Sequence, residues 1–245
     1  MVNDNGKRIA NYPEHPNSEF NSVRNIVRWR DVNMAGKPIW VTEWGWDADG
    51  KGEGCTFPEC VSEKAQALYG IRGLLILTRS NVQKVTWFFY ANSDYCNTLF
   101  CRSGLTASKA HNFAKKDVFL AFQELLSVLG DKYFLGVYME NATGYVYMYG
   151  DSTIDSGRRL TPQQIIQRAS HLVAWKPVSV SDTSTSTIQI VLPLNGYNLS
   201  AKKFTGESPA IIDHPIQSKV TLELSTNPIV VDLHNTDINS GQIVG

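Results

Sequence analysis

The sequence has no surplus charge of either sign: 23 basic residues cancel 23 acidic ones over 245 positions, and no block of like sign occurs. Nucleic acid calls for a basic stripe and an anionic membrane for a basic amphipathic face, so neither partner is expected. Long apolar runs are missing too. The most apolar stretch, Leu74 to Leu77, is short and follows Arg72, too little to span a bilayer. Residues Met1 to Gly6 lack the apolar segment of a signal peptide. His15, His111, His171, His214 and His234 fall at no metal-ligand spacing. Neither a Gly-x-Ser-x-Gly elbow nor a phosphate-cradling Gly-x-Gly-x-x-Gly turn is present. Metal, serine-nucleophile and nucleotide chemistry are therefore unsupported.

Cysteine is scarce and paired. Cys55 and Cys60 enclose four residues, as do Cys96 and Cys101, and both segments read as loops. Two disulfides are the first reading; reduced thiols and a four-cysteine zinc site, at spacings wider than the usual zinc knuckle, are the alternatives. Two sequons, Asn141 to Thr143 and Asn198 to Ser200, are compatible with export, so an extracellular or secreted location is expected.

What is present is a core. Hydrophobic residues make up 42% of the chain and aromatic ones 11%, well within the globular range. Asn17 can cap a helix running to about Met34, stopped by Gly36 and Pro38. Pro38 to Trp44 reads as a short strand buried on both faces. Ser62 opens a second helix, to about Arg79, with one apolar face. Val85 to Tyr90 reads as another buried strand, and Lys116 to Leu129 as a third helix with an apolar stripe. Helices alternating with strands predict parallel βα units. The loops that follow the strands are long and those before them short, as in a (β/α)8 barrel.

Beyond Asp131 the pattern turns to strands. Tyr133 to Met139 and Gly144 to Tyr149 predict a hairpin. Leu172 to Trp175, Thr187 to Leu192, Val220 to Leu224 and Ile229 to Leu233 follow, with one helix at Thr161 to Ala169. The expected architecture is a partial (β/α)8 barrel over residues 1–131 and an all-β sandwich over 132–245.

Glu43 is the foremost candidate for chemistry. It ends a strand, where a barrel presents functional groups, and alternation puts it on the side of Ile39 and Val41. Trp44 and Trp46 flank it, and aromatic faces suit sugar rings. The plainer reading is a strand-end Glu paired with a basic neighbour.

The run Lys-Pro-Ile-Trp-Val-Thr-Glu-Trp-Gly-Trp-Asp, from Lys37 to Asp47, resembles the seventh barrel strand of the clan A glycoside hydrolases. There a Thr-Glu-aromatic-Gly segment presents the nucleophilic Glu. Gln66 to Tyr69 is similar to the helix after that strand, and Val85 to Asp94 to the eighth strand, which ends in an aromatic platform and an Asp. The resemblance covers roughly residues 1–130 and implies an oligo- or polysaccharide substrate, a β-linkage, retention through a covalent glycosyl-enzyme and no cofactor. Glu43 would be the nucleophile. Tyr90 aligns with the platform, with Trp87 as its rival, since alternation lets only one face the sugar. Asp94 either binds a hydroxyl or caps a turn.

A retaining enzyme needs a second carboxylate about 5–5.5 Å from the nucleophile. In the clan that acid/base usually follows an Asn on the fourth strand, and no Asn-Glu pair occurs in this chain. Two barrel strands are evident where eight are needed. Val2 to Gly6 would suit the loop after a sixth strand, so the chain reads as a truncated product or partial reading frame, inactive alone. The competing reading is a non-catalytic sugar-binding or structural module, in which Tyr145, Tyr147 and Tyr149 alternate on one face, either as an exposed platform or, more ordinarily, as half of a sandwich core.

Overall fold

The computed structural model describes residues 2–4, 7–152, 160–191, 197–204 and 219–235. Met1, Asn5, Gly6, Leu192 and His214 lie outside the described residues. The chain divides into two compact units, Met1–Leu125 with Val178–Asp182, and Leu126–Pro177 with Thr183–Gly245.

The first unit opens with β1 (Val2–Asp4) and β2 (Lys7–Ile9), an antiparallel pair where a loop was expected. Helix α1 (Phe20–Asn33) starts later than Asn17 would have set it, and the residue at its cap, Glu19, makes no capping hydrogen bond. Gly36, with φ of 79°, supports the reversal that ends it. Strand β3 (Trp40–Trp44), helix α2 (Glu63–Arg79) and strand β4 (Lys84–Trp87) form one βαβ unit, with β3 and β4 parallel. Ser62 Oγ accepts from Ala65 N at 3.1 Å, the N-cap that Ser was expected to supply. Helix α2 is buried almost all round from Ala65 to Leu77, rather than along the single stripe read from its spacing. Helix α3 (Asp117–Leu129) follows.

Burial of both strands on both faces is corrected. Among the described residues β3 and β4 form a two-stranded sheet, and a parallel strand is buried on both faces only where packed elements cover both. Trp40, Thr42, Glu43, Lys84 and Thr86 are exposed. Strand β4 also ends at Trp87, short of Tyr90.

In the second unit, β5 (Tyr133–Glu140) and β6 (Tyr145–Gly150) make the expected hairpin. Thr161 caps α4 (Pro162–Arg168) with a complete capping box, after which come β7 (His171–Trp175), β8 (Ser186–Val191), β9 (Tyr197–Lys203), β10 (Lys219–Leu224) and β11 (Ile229–Asn235). Five strands form one antiparallel sheet in the order β5-β6-β7-β11-β9, and β10 pairs with β8. Val146, Met148, Leu172 and Val231 from the larger sheet share a core with Ile188, Ile190, Val220 and Leu222 from the smaller. The alternate residues Tyr147 and Tyr149 are 0% and 3% exposed, and Tyr145 is half-buried. An exposed tyrosine platform is therefore excluded: these rings pack with Phe134 and Trp175.

Buried polar ties help to hold the first unit, and two of them centre on Glu14 and Glu53. The side chains of Arg72 and Glu14 are 0% and 2% exposed. Arg72 Nε donates to Glu14 Oε1 at 2.9 Å, Nη2 donates to Oε2, and Nη1 donates to Val178 O at 2.9 Å. The second tie is Glu53, which accepts from Asn92 Nδ2 at 2.6 Å, Ser108 N at 3.3 Å and Arg102 Nη1 at 3.4 Å. Burial alone would push the Glu53 carboxyl up, but hydrogen bonds from Ser108 and Asn92 and the Arg102 charge outweigh it and hold it below its ordinary 4.5.

Removing one member of a buried pair strands the other. Glu14→Ala should cost about 3–5 kcal/mol in urea unfolding, and the joint change Glu14→Leu with Arg72→Met distinctly less; equal losses would count against the pair as the cause. Because the folded value of Glu53 is depressed, its stabilisation is full above the unfolded value and is lost as pH falls through the folded one. Urea stability followed from about pH 6 to about pH 3 should fall less steeply in Glu53→Gln than in the parent, and parallel profiles would refute this contribution.

Candidate functional site

The site is built around the end of β3. Val41 pairs with Val85 and Trp44 with Trp87, so β3 holds one more residue than β4 between these pairs. The irregularity shifts the phase of alternation: Trp44, not Glu43, follows Val41 inward, and Glu43 is left exposed. Trp44 then packs edge-on to Trp87 at 5.0 Å, to Trp46 at 5.8 Å and to Phe20 at 6.1 Å. Gly73 of α2 makes room for it, since a Cβ there would stand 2.5 Å from the Trp44 ring. Gly45 is required for a similar reason, because its Cβ would meet Phe88 O at 2.8 Å. Phe88 N donates to Trp44 O at 2.9 Å, which brings the segment after β4 against the one after β3.

A cavity of about 230 Å³ opens beside this cluster, bordered by Glu43, Trp44 and Trp46 together with Asp47, Glu59 and Phe100 among others. No hydrogen bond or ion pair to Glu43 occurs among the described residues, so the plainer reading of a carboxylate held by a basic neighbour finds no partner. Trp46 is half-buried, donates its indole N–H to Asn11 O at 3.0 Å and stacks on Phe20 at 6.2 Å.

The other expected site residues lie elsewhere. Trp87 is absent from the cavity wall; its indole N–H donates to Ser103 O at 2.8 Å and its ring serves the aromatic cluster. Tyr90 is 67% exposed and also away from this cavity. Asp94 takes the turn-capping role: Oδ1 accepts from Ala110 N at 2.9 Å, and that bond holds its carboxyl below the ordinary value. All four cysteines are in disulfides, Cys55–Cys60 and Cys96–Cys101, which rules out reduced thiols and the zinc alternative. The described residues hold no cluster able to bind a metal, and no helix among them is long and apolar enough to cross a membrane.

Sequence reasoning missed most of the wall: Asp47, both disulfide loops, Phe88, and the segment around Glu19 and Phe20. Asp47 is buried and accepts from Phe100 N at 2.6 Å and Arg102 N at 2.8 Å. Burial pushes its carboxyl up, and those two bonds partly offset the shift. Each disulfide loop also contributes to the wall, Glu59 from the first and Leu99 and Phe100 from the second. The adjacency of Asp47 to the Glu43 strand was a usable signal. The loop residues offered none, because their placement depends on contacts distant in sequence. Lys116, fully buried, braces the same region by donating to Ala48 O and Arg102 O, each at 3.1 Å; burial pulls its ammonium down to about 8.

No family model and no curated protein matches the chain. Solved structures do. A family 39 glycoside hydrolase from Bacteroides cellulosilyticus WH2 aligns with a TM-score of 0.60 at 19% identity, over 86% of this chain and 38% of that one. Xylanase C of family 30 from Talaromyces cellulolyticus gives 0.52 at 13%, over 82% of this chain and 42% of that one. The family 51 arabinofuranosidase from Xanthomonas axonopodis pv. citri gives 0.51 at 11%, over 87% and 46%. The chain thus spans less than half the length of each, and identities this low speak for fold alone. Its mixed α/β fold, with one parallel strand pair and antiparallel sheets among the described residues, is similar to part of these glycoside hydrolase structures.

Proposed function

We propose that this chain is part of a retaining glycoside hydrolase acting on β-linked glycans, with residues 1–131 as the last βα units of its barrel and Glu43 as its nucleophile. The observation that carries the reading is a strand-end carboxylate without a partner, at a cavity walled by aromatic rings. Trp44 and Trp46 would form sugar-facing surface, with Trp87 behind them; Tyr90 and Asp94 would act outside this cavity if they touch substrate. Disulfides persist in oxidising compartments, which supports an extracellular or secreted setting.

The chemistry is double displacement. Glu43 Oε attacks the anomeric carbon as the glycosidic bond breaks, and a second carboxyl protonates the departing oxygen. That acid then takes a proton from water, which attacks the anomeric carbon and frees Glu43. The acid/base residue is absent from this chain, which has no Asn-Glu pair and only one parallel strand pair among its described residues. Acting alone, the chain is inactive on ordinary glycosides.

An activated substrate separates the two roles. A fluorosugar with a dinitrophenolate leaving group needs no proton donor, so the first half-reaction depends on the nucleophile alone. Incubation with β-configured fluorosugars of this kind should leave one glycosyl adduct on Glu43, read by peptide mass spectrometry, and none in Glu43→Gln. Ordinary β-glycosides should show no turnover. Labelling at another carboxylate, or rapid Glu43-dependent turnover of unactivated substrates, would overturn the assignment.

A further inference from the structure

The cavity beside Glu43 is bordered by ionisable groups of one kind. Glu19, Glu43, Asp47 and Glu59 line it, and no lysine, arginine or histidine does so among the described residues. Two cations of the region are committed elsewhere. Lys116 Nζ lies buried against two backbone carbonyls, and the Arg102 guanidinium donates to Gly54 O at 3.0 Å, Ser93 O at 2.7 Å and the Glu53 carboxylate. Asp47 spends its oxygens on backbone N–H groups of the second disulfide loop, and Glu43 is left with none. The rest of the wall includes the Trp46 and Phe100 rings.

Charges of one sign in a concave, low-dielectric wall reinforce each other within the cavity. Sugar hydroxyls entering it find acceptor oxygens, and the apolar face of a ring finds aromatic surface. A carboxylate or sulfate entering it finds repulsion and, among the described wall residues, no cation to pair with. Glu59 matters most for this discrimination, because it sits on the short loop closed by Cys55–Cys60 and belongs to neither the strand nor the Asp47 tie.

We propose that this cavity accepts sugar residues that carry no acidic group, neutral or amino sugars, and rejects uronic acids and sulfated sugars. The proposal rests on the carbohydrate reading of the same cavity and names its substrate class. Like charges a few Å apart near a protein surface repel strongly enough to separate matched ligands by about tenfold or more.

The test is calorimetric titration of the full chain with matched oligosaccharides: glucose against glucuronic acid, mannose against mannuronic acid, and glucosamine oligomers. At low salt the neutral or amino member of each match should bind about tenfold or more tighter than its acidic counterpart. Raising the salt should narrow that ratio, as should Glu59→Gln. Equal or tighter binding of the uronic acid member overturns the proposal and leaves the carbohydrate reading standing. So does a preference that neither salt nor Glu59→Gln changes, because its origin is then not charge. Binding of none of these sugars overturns both.

Discussion

Asp47 carries the architecture of the cavity. Its carboxylate accepts from Phe100 N and Arg102 N, its own carbonyl accepts from Val61 N at 2.9 Å, and the next residue, Ala48, donates to Arg102 O at 3.2 Å. The segment leaving β3 is thereby fastened to the second disulfide loop on one side and to the chain just past the first on the other. Glu59, Leu99 and Phe100 reach the cavity because of that fastening. A buried carboxylate is costly, as the upward push on its titration indicates, and two backbone N–H groups offset part of the cost. Each disulfide closes a loop of only a few residues, so on its own it shapes a loop without saying where that loop docks.

Beneath this tie lies the aromatic cluster, which sorts the tryptophans into two roles. Trp44 and Trp87 pack edge-on against each other and both contact Phe122, yet Trp44 borders the cavity together with Trp46 while Trp87 stands behind them. Residue type alone does not distinguish these roles, since tryptophan serves as core and as sugar platform through the same large apolar face. What distinguishes them is place in the fold: the extra residue in β3 and the space over Gly73 seat Trp44 between the aromatic cluster and the cavity, with Trp87 behind it.

Exposed apolar side chains mark the outer surface of the first unit. Ile26, Trp29 and Val32 of α1, with Trp40 of β3, remain open to solvent although α1 alternates as a core helix would. Only Val27 and Arg30 of that helix are buried. An amphipathic pattern states that a face is to be covered but does not name the cover.

Local order was readable wherever a segment's own chemistry decided it. The Ser62 cap, the Thr161 capping box, helix α3, the β5–β6 hairpin and the alternating β8 and β10 could be drawn from neighbouring residues alone, as could Glu43 as a strand-end carboxylate. Strand β9 could not, because it holds an edge of its sheet and its Asn198, Ser200, Lys202 and Lys203 blur the apolar alternation. The capping role of Asp94, the inward turn of Trp44 and the arrival of two disulfide loops around Glu43 belong to tertiary structure. The physical reason is range. Caps, turns and hydrophobic period act over a few residues and are written in each segment, whereas the cavity is made by hydrogen bonds such as Asp47 to Arg102, whose partners lie 55 positions apart and meet only once the chain has folded.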